Sequence, residues 1–255
     1  MTASRPRIFT REDGRERIGL PFWNGVLSAL GAMVIGFAAA IAGAIALVVT
    51  VIAITGRTPS VNSGHPLAVA IGVIFYTACG ALAWRQLRTS RSNPIRKPTG
   101  RDIRVILIGV AALVLVRIAM VVQLMATHQT KHVQAGLENF DVVTKNPTIT
   151  AISVVLTVLS MVVLAPIIEE ILFRGLLFGA LAPRLGIVAG ALITALLFGA
   201  VHGDLVLFPA LAALGFIAAL AYAATGNLTV AIALHAINNS LGAAILVTKS
   251  LHHHA

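Results

Sequence analysis

The chain has 255 residues, of which 58% are hydrophobic and only 11% are charged, and its mean hydropathy is +0.92. These values exclude an ordinary soluble domain and are typical of a polytopic membrane protein. The net charge of +10 could indicate a nucleic-acid partner, but the basic residues cluster beside apolar runs, as the positive-inside rule requires, and we expect no nucleic acid.

The first 148 residues contain no motif of recognisable chemistry. Residues 1–21 form a polar, arginine-rich tail that we predict to be cytoplasmic. Residues 22–148 contain three apolar runs long enough to span a bilayer, at about 22–54, 67–84 and 105–125. Arg117 interrupts the third run. It is either a substrate clamp or an arginine that faces the helix bundle and pairs with a carboxylate or carbonyls, and we favour the second reading.

Two loops separate these runs from each other and from the rest of the chain. Residues 85–104 carry seven lysines and arginines against one acid, Asp102, which indicates the cytoplasmic side and is compatible with contact to anionic lipid. In the loop at 126–148, His128 and His132 are four residues apart without a third ligand at suitable spacing, so we predict solvated side chains rather than a metal site.

Residues 149–250 contain four further apolar runs, at about 149–170, 187–202, 205–224 and 228–248. The sequence therefore predicts an all-α, polytopic membrane helix bundle of about seven transmembrane helices. With the N-terminus inside, fourteen basic residues lie on the cytoplasmic side and four outside. We expect an integral protein of the bacterial plasma membrane with a cytoplasmic N-terminus.

The most unusual stretch is Ala165–Arg174, where two carboxylates and an arginine interrupt an apolar run. Charges inside membrane segments are costly and usually have a function or a partner. Glu170 and Arg174 are four residues apart, share a helix face and are predicted to form a structural ion pair. Glu169 points about 100° away and remains as a spare carboxylate.

Two further polar pairs follow at helical spacing: Phe198 with His202, and His235 with Asn239. With Glu169 they offer a general base, a second proton carrier and neutral donors for an oxyanion. If the fourth and fifth spans form a hairpin near Leu185, Glu169 and His202 lie at the same depth and can meet. No HExxH, GxSxG or GxGD motif is present, which argues against the zinc, serine and aspartyl classes of intramembrane protease.

These three motifs, in this order, resemble those of the CPBP family, which comprises the CAAX-type proteases and the bacteriocin-processing or immunity (Abi) proteins. The resemblance covers roughly residues 150–245. It implies an intramembrane endopeptidase in which Glu169 is the catalytic glutamate and His202 helps to activate water. It also implies that His235 and Asn239 line the oxyanion side. Glu170 and Arg174 would hold the helix.

A non-catalytic membrane protein is the alternative, either a proton-coupled transporter or an immunity-type binding protein, because buried Glu, His and Arg also serve proton relays. We favour the protease because the polar residues gather in one region instead of forming a path through both leaflets. The expected partners are a membrane-associated peptide or protein substrate and the lipid bilayer.

The residue count bears on the cofactor. A catalytic zinc ion usually takes three protein ligands, and the candidates are Glu169, His202 and His235. If Glu169 is the base, only two histidines remain for the metal. The sequence therefore favours a site without a cofactor, with zinc as the alternative.

Overall fold

The computed structural model describes residues 22–56, 66–89, 94–129 and 147–252. The predicted tail at 1–21, the loop at 57–65, His132 in the stretch 130–146 and the last three residues lie outside this part. Six helices are uninterrupted: α1 (Phe22–Thr55), α2 (Pro66–Thr89), α3 (Gly100–Ala126), α5 (Ile187–Val201), α6 (Phe208–Thr225) and α7 (Leu228–His252).

The remaining helical rod, α4, runs from Pro147 to Leu185 and is interrupted twice. Its α-helical parts are Pro147–Leu159, Ala165–Glu170 and Gly179–Leu185. Two π-helical segments separate them, Ser160–Leu164 and Ile171–Phe178. Gly186, whose φ of +86° is readily adopted only by glycine, ends the rod and turns the chain into α5.

The predicted all-α membrane fold is confirmed. Six of the described helices are long and apolar enough to cross a membrane, and the shorter apolar helix α5 accompanies them. No strand occurs within the ranges that the structure describes. At 15 residues, α5 is about 22 Å long and falls short of the ~30 Å hydrocarbon core.

The start of α3 differs from the predicted boundary, because the helix begins at Gly100 instead of near residue 105. The cause is a capping box. The Asp102 side chain accepts a hydrogen bond from the Thr99 backbone N–H at 2.8 Å, and the Thr99 hydroxyl accepts one from the Asp102 N–H at 3.4 Å. This arrangement satisfies the first exposed amides of the helix and extends it into the basic loop.

The same aspartate joins the N-terminal and C-terminal halves of the chain. Asp102 is buried and accepts hydrogen bonds from both Nη atoms of Arg96, at 2.6 and 3.2 Å. Arg96 also donates to the Thr225 carbonyl, and Asn227 donates to Asp102 at 3.4 Å. The loop before α3 is thereby held against the turn between α6 and α7, so that α3 lies next to α7.

Glycines allow the closest approaches between helices. A Cβ added to Gly36 of α1 would lie 2.1 Å from the Cys79 sulfur of α2, and one added to Gly109 of α3 would lie 2.6 Å from Leu234 of α7. Small residues at such positions let backbones pack tightly in membranes. The π-helical segment 171–178 is buried throughout and contacts α1, α2, α5, α6 and α7, so α4 is the central rod of the bundle.

The orientation in the membrane can be tested by thiol labelling, because the only cysteine of the chain, Cys79, is buried and can be removed. In a Cys79→Ala background we would introduce Lys97→Cys and Gln129→Cys at exposed positions. The positive-inside rule predicts that the basic loop at 85–104 lies in the cytoplasm. We therefore expect an impermeant thiol reagent to label Gln129→Cys in intact cells and Lys97→Cys only after permeabilisation. The opposite labelling pattern would show that the predicted orientation in the membrane is wrong.

Candidate active site

The centre of the polar cluster is the carboxylate of Glu170. One oxygen, Oε1, accepts hydrogen bonds from Arg174 Nη1 and from His235 Nδ1, both at 2.9 Å. Glu170 and Arg174 are 0% and 1% exposed. The other Nη of Arg174 donates to the Gly215 carbonyl of α6 at 2.8 Å. One buried carboxylate therefore links the central rod to α7, and its arginine links it to α6.

Phe198 of α5 lies against this cluster and is fully buried. The Arg174 guanidinium lies 4.8 Å from the centroid of its ring, at a distance typical of a cation–π interaction. The His235 ring meets the same phenyl ring edge-on, with centroids 5.5 Å apart. Phe198 thus provides an apolar wall that shields the ion pair and fixes the plane of the His235 imidazole.

Glu169 reaches the same histidine from the other side. Its Oε2 lies 3.8 Å from His235 Nε2, and its Oε1 accepts a hydrogen bond of 2.7 Å from the Tyr76 hydroxyl of α2. The side chain of Glu169 retains 13% exposure, whereas that of Glu170 has none. The two adjacent carboxylates therefore face the two nitrogens of one imidazole, and only Glu169 is accessible.

Tyr76 was not among the residues predicted for the site. It lies in an apolar run that resembles an ordinary membrane span. A phenolic hydroxyl in such a run needs a hydrogen-bond partner, and this was the only signal that the sequence offered.

The partners of His235 determine its tautomer. A carboxylate accepts hydrogen bonds, so Nδ1, which lies 2.9 Å from Glu170, carries the proton. In the neutral ring Nε2 is then an acceptor, and it faces Glu169. His235 can donate to an oxyanion, as the family resemblance implies, only after Nε2 has gained a proton.

Asn239 is placed by an irregularity of α4. In the π-helical turn the Ala165 N–H bonds to Ser160 O, five residues back. The Met161 carbonyl would then need the N–H of residue 166, which is proline and has none. Asn239 Nδ2 donates to this Met161 oxygen at 3.0 Å.

Arg117 sets the direction of this amide through Asn238. Its Nε and Nη2 donate to the Asn238 side-chain oxygen at 3.3 and 3.1 Å, and Nη2 also donates to the Asn238 carbonyl. Asn238 Nδ2 in turn donates to Asn239 Oδ1 at 3.2 Å. Arginine can only donate, so the Asn238 oxygen must accept and the Asn238 NH2 group is left to donate to Asn239 Oδ1. The Asn239 NH2 group therefore points towards α4. The favoured interpretation of Arg117, a bundle-facing arginine on carbonyl oxygens, is confirmed.

In the described structure His202 contacts Phe198 and makes no direct contact with Glu169, although the sequence put the two residues at the same depth. Its Nδ1 lies 2.7 Å from the Phe198 carbonyl, and its ring packs on the Phe198 ring with centroids 4.8 Å apart. Neither nitrogen comes within ion-pair distance of Glu169, whose near histidine is His235. Equal depth along a hairpin does not set the direction of a side chain around the helix axis. His202 also follows the last residue of α5 and is exposed.

The same placement bears on a metal site. Within the described ranges, no group of three His, Cys, Asp or Glu side chains is arranged to hold one ion. A catalytic zinc site would need His202 to turn away from Phe198 and join Glu169 and His235. The donors as they stand do not fit a three-ligand metal site. Whether the active protein uses a cofactor stays a prediction.

The structural role predicted for Glu170 and Arg174 can be tested by replacing Arg174 with leucine. The change leaves a buried carboxylate without its cation, which typically costs ~3–5 kcal/mol. We expect a lower free energy of unfolding and less folded protein, measured by thermal unfolding in detergent and by abundance in membranes. Arg104→Ala, at an exposed position, is the control and should change little. Normal stability of Arg174→Leu with lost activity would make Arg174 a participant in the chemistry.

Comparison with known proteins finds two sequence similarities, both to membrane peptidases and both limited to part of the chain. Residues 151–241 match the family model described as "Rce1-like: Type II CAAX prenyl endopeptidase Rce1-like". The chain is also 38% identical over 78 residues to "Putative membrane peptidase YdiL" of Bacillus subtilis (strain 168). That alignment covers 31% of this chain and 32% of the relative, so the similarity spans about a third of either protein. No solved structure matches the chain.

The matched segment contains Glu169, Glu170, Arg174, His202, His235 and Asn239. Tyr76 and Arg117 lie outside this segment. Each nevertheless donates a hydrogen bond to a residue within it, Tyr76 to Glu169 and Arg117 to Asn238. The C-terminal part of this integral membrane protein, residues 151–241, is therefore similar to the Rce1-like membrane proteases, in agreement with the resemblance that the three motifs carry.

Proposed function

We propose that the protein is an intramembrane endopeptidase that hydrolyses peptide bonds of membrane-associated proteins or peptides with a glutamate-activated water. The observation that carries this proposal is the pair of acceptors formed by Glu169 Oε2 and His235 Nε2, 3.8 Å apart. This separation is too long for a direct hydrogen bond and suits a water molecule that bonds to both.

In the proposed reaction the water donates one hydrogen to Glu169 and the other to His235, which leaves an oxygen lone pair directed at the substrate carbonyl. Glu169 takes the proton as the water attacks, and the tetrahedral intermediate forms. Glu169 then returns this proton to the departing amine as the C–N bond breaks. The buried pair of Glu170 and Arg174 holds His235 in the tautomer that presents Nε2 as an acceptor.

The oxyanion needs a donor, and Asn239 is the candidate. One hydrogen of its Nδ2 is used on Met161 O, and the amide has a second. The hydrogen-bond chain from Arg117 keeps the NH2 group on the α4 side, where Glu169 also lies. A preorganised donor of this kind costs no reorganisation during the reaction. In this proposal His202, at the exposed end of α5, contacts the substrate or a further water molecule rather than the attacking one.

We also propose that hydrolysis needs no metal ion. The support is the donor set, because His202 lies on Phe198. Only Glu169 and His235 of the three candidate ligands are close together, and Glu169 acts as the base in the proposed reaction. The proposed setting is the plasma membrane of a bacterium, with the N-terminus inside. The proposed substrate of the protein is membrane-associated, because Glu169 lies in a helix long and apolar enough to span a membrane.

The first test replaces Glu169 with glutamine, which keeps the shape and removes the base. Loss of a general base lowers the rate by roughly 10²–10⁴-fold. We expect hydrolysis to fall by about that factor while thermal stability is retained, and membrane peptides that accumulate in the mutant cells would identify the substrates. The matched control is Glu170→Gln, which should lose stability as well as activity. Full activity of Glu169→Gln would contradict the proposal and favour a non-catalytic role.

The second test concerns the metal. Purified, active protein should contain no stoichiometric zinc by elemental analysis and should keep its activity in the presence of a chelator, because Glu169 acts as a base. A protein that contains one zinc ion per chain, loses activity to the chelator and regains it with zinc would overturn this part of the proposal. His202→Ala separates the two mechanisms further. If His202 is a zinc ligand, the variant loses bound zinc as well as activity, whereas the proposed mechanism involves no bound zinc to lose.

A further inference from the structure

The Tyr76 hydroxyl of α2 forms a hydrogen bond with the Glu169 side chain and so connects the N-terminal spans to the site. It donates to Glu169 Oε1 at 2.7 Å, across 93 positions of sequence. This distance is that of a well-formed O–H···O hydrogen bond. The family match begins only at residue 151, so the contact comes from a helix outside it.

A purely structural explanation would be that the hydroxyl merely needs an acceptor. Several Ser and Thr hydroxyls in these helices donate to a carbonyl of their own helix, as Thr194 does to Gly190 O at 2.9 Å. A tyrosine hydroxyl lies too far from its own backbone to do so, and phenylalanine would fill the same space without a polar group. The tyrosine therefore adds one thing, a donor at Glu169.

The packing of α2 on α4 fixes this contact in register. Gly80, one turn after Tyr76, lies so close to Ile168 that an added Cβ would be 2.9 Å from the Ile168 side chain. Ile168 directly precedes Glu169. The Tyr76 ring is further held by Phe75, with centroids 5.4 Å apart and an interplanar angle of 72°. The hydroxyl thus has a defined position relative to the carboxylate.

We propose that Tyr76 is a positioning residue for Glu169 and that the N-terminal spans therefore complete the active site. This inference rests on the proposed function, in which Glu169 is the base. By occupying Oε1, the hydroxyl fixes the rotation of the carboxylate so that Oε2 faces His235 Nε2, 3.8 Å away. Only then can one water molecule bond to both acceptors.

The activity test uses Tyr76→Phe, which removes the hydroxyl alone. Because one hydrogen bond to a charged group is lost, we expect kcat to fall about tenfold or more while KM stays within about twofold. The chain has only two tyrosines, so Tyr222→Phe in α6 is the matched control and should leave kcat unchanged. Equal loss in both variants, or unchanged kcat in Tyr76→Phe, would overturn the inference.

A spectroscopic test does not depend on activity. In the Tyr222→Phe background, Tyr76 is the sole tyrosine, and a label at its ring Cζ reports by NMR how strongly the hydroxyl donates. Glu169→Gln replaces a charged acceptor by a neutral one, so we expect the Cζ resonance to shift, whereas Arg104→Ala should leave it in place. A resonance that ignores Glu169→Gln overturns the inference, even in an active enzyme. If the resonance shifts but the protein cleaves no substrate, the contact between Tyr76 and Glu169 is supported and the proposed protease function is rejected.

Discussion

The rest of the site depends on one buried carboxylate oxygen, Glu170 Oε1, which accepts hydrogen bonds from both Arg174 and His235. A buried carboxylate is tolerated only when its charge is compensated. Arg174 supplies that compensation from the same helix and extends to Gly215 of α6. The histidine comes from α7. Three helices are therefore tied together by groups that cannot be left unpaired in an apolar interior, and the tautomer of His235 follows from the same bond.

This pair does more for geometry than for stability. Both charges lose their hydration on burial, and this cost offsets much of their mutual attraction. The intact pair therefore adds little stability, although removing one partner is costly. The arrangement is better explained by what it orients. It presents Nε2 of His235 to Glu169, while the neighbouring carboxylate keeps its exposure.

The irregular winding of α4 places the other donor. Pro166 cannot supply an N–H to the turn before it, and the π-helical turn at Ser160–Leu164 leaves the Met161 carbonyl for Asn239. The N-terminal spans contribute in the same indirect way. Tyr76 of α2 bonds to Glu169, and Arg117 of α3 orients Asn239 through Asn238. The segment that matches the family thus depends on helices outside that match.

Much of the fold could be predicted from the sequence, because local rules govern it. Apolar runs longer than a bilayer is thick must form membrane helices, and the spacing of four between Glu170 and Arg174 places both on one face of a helix whatever surrounds it. The order of the three motifs likewise sufficed to indicate the family. The start of α3 was missed because the capping box of Thr99 and Asp102 extends the helix into the basic loop.

Only the tertiary structure decided which histidine meets Glu169. Sequence spacing gives depth along a helix, and by depth His202 was the expected neighbour. The direction of a side chain around the axis depends on how helices pack, on where α4 changes its winding, and on close contacts such as that of Gly80 with Ile168. These interactions join residues that are distant in the chain. They bring His235 and Tyr76 to the two oxygens of Glu169 and leave His202 on Phe198.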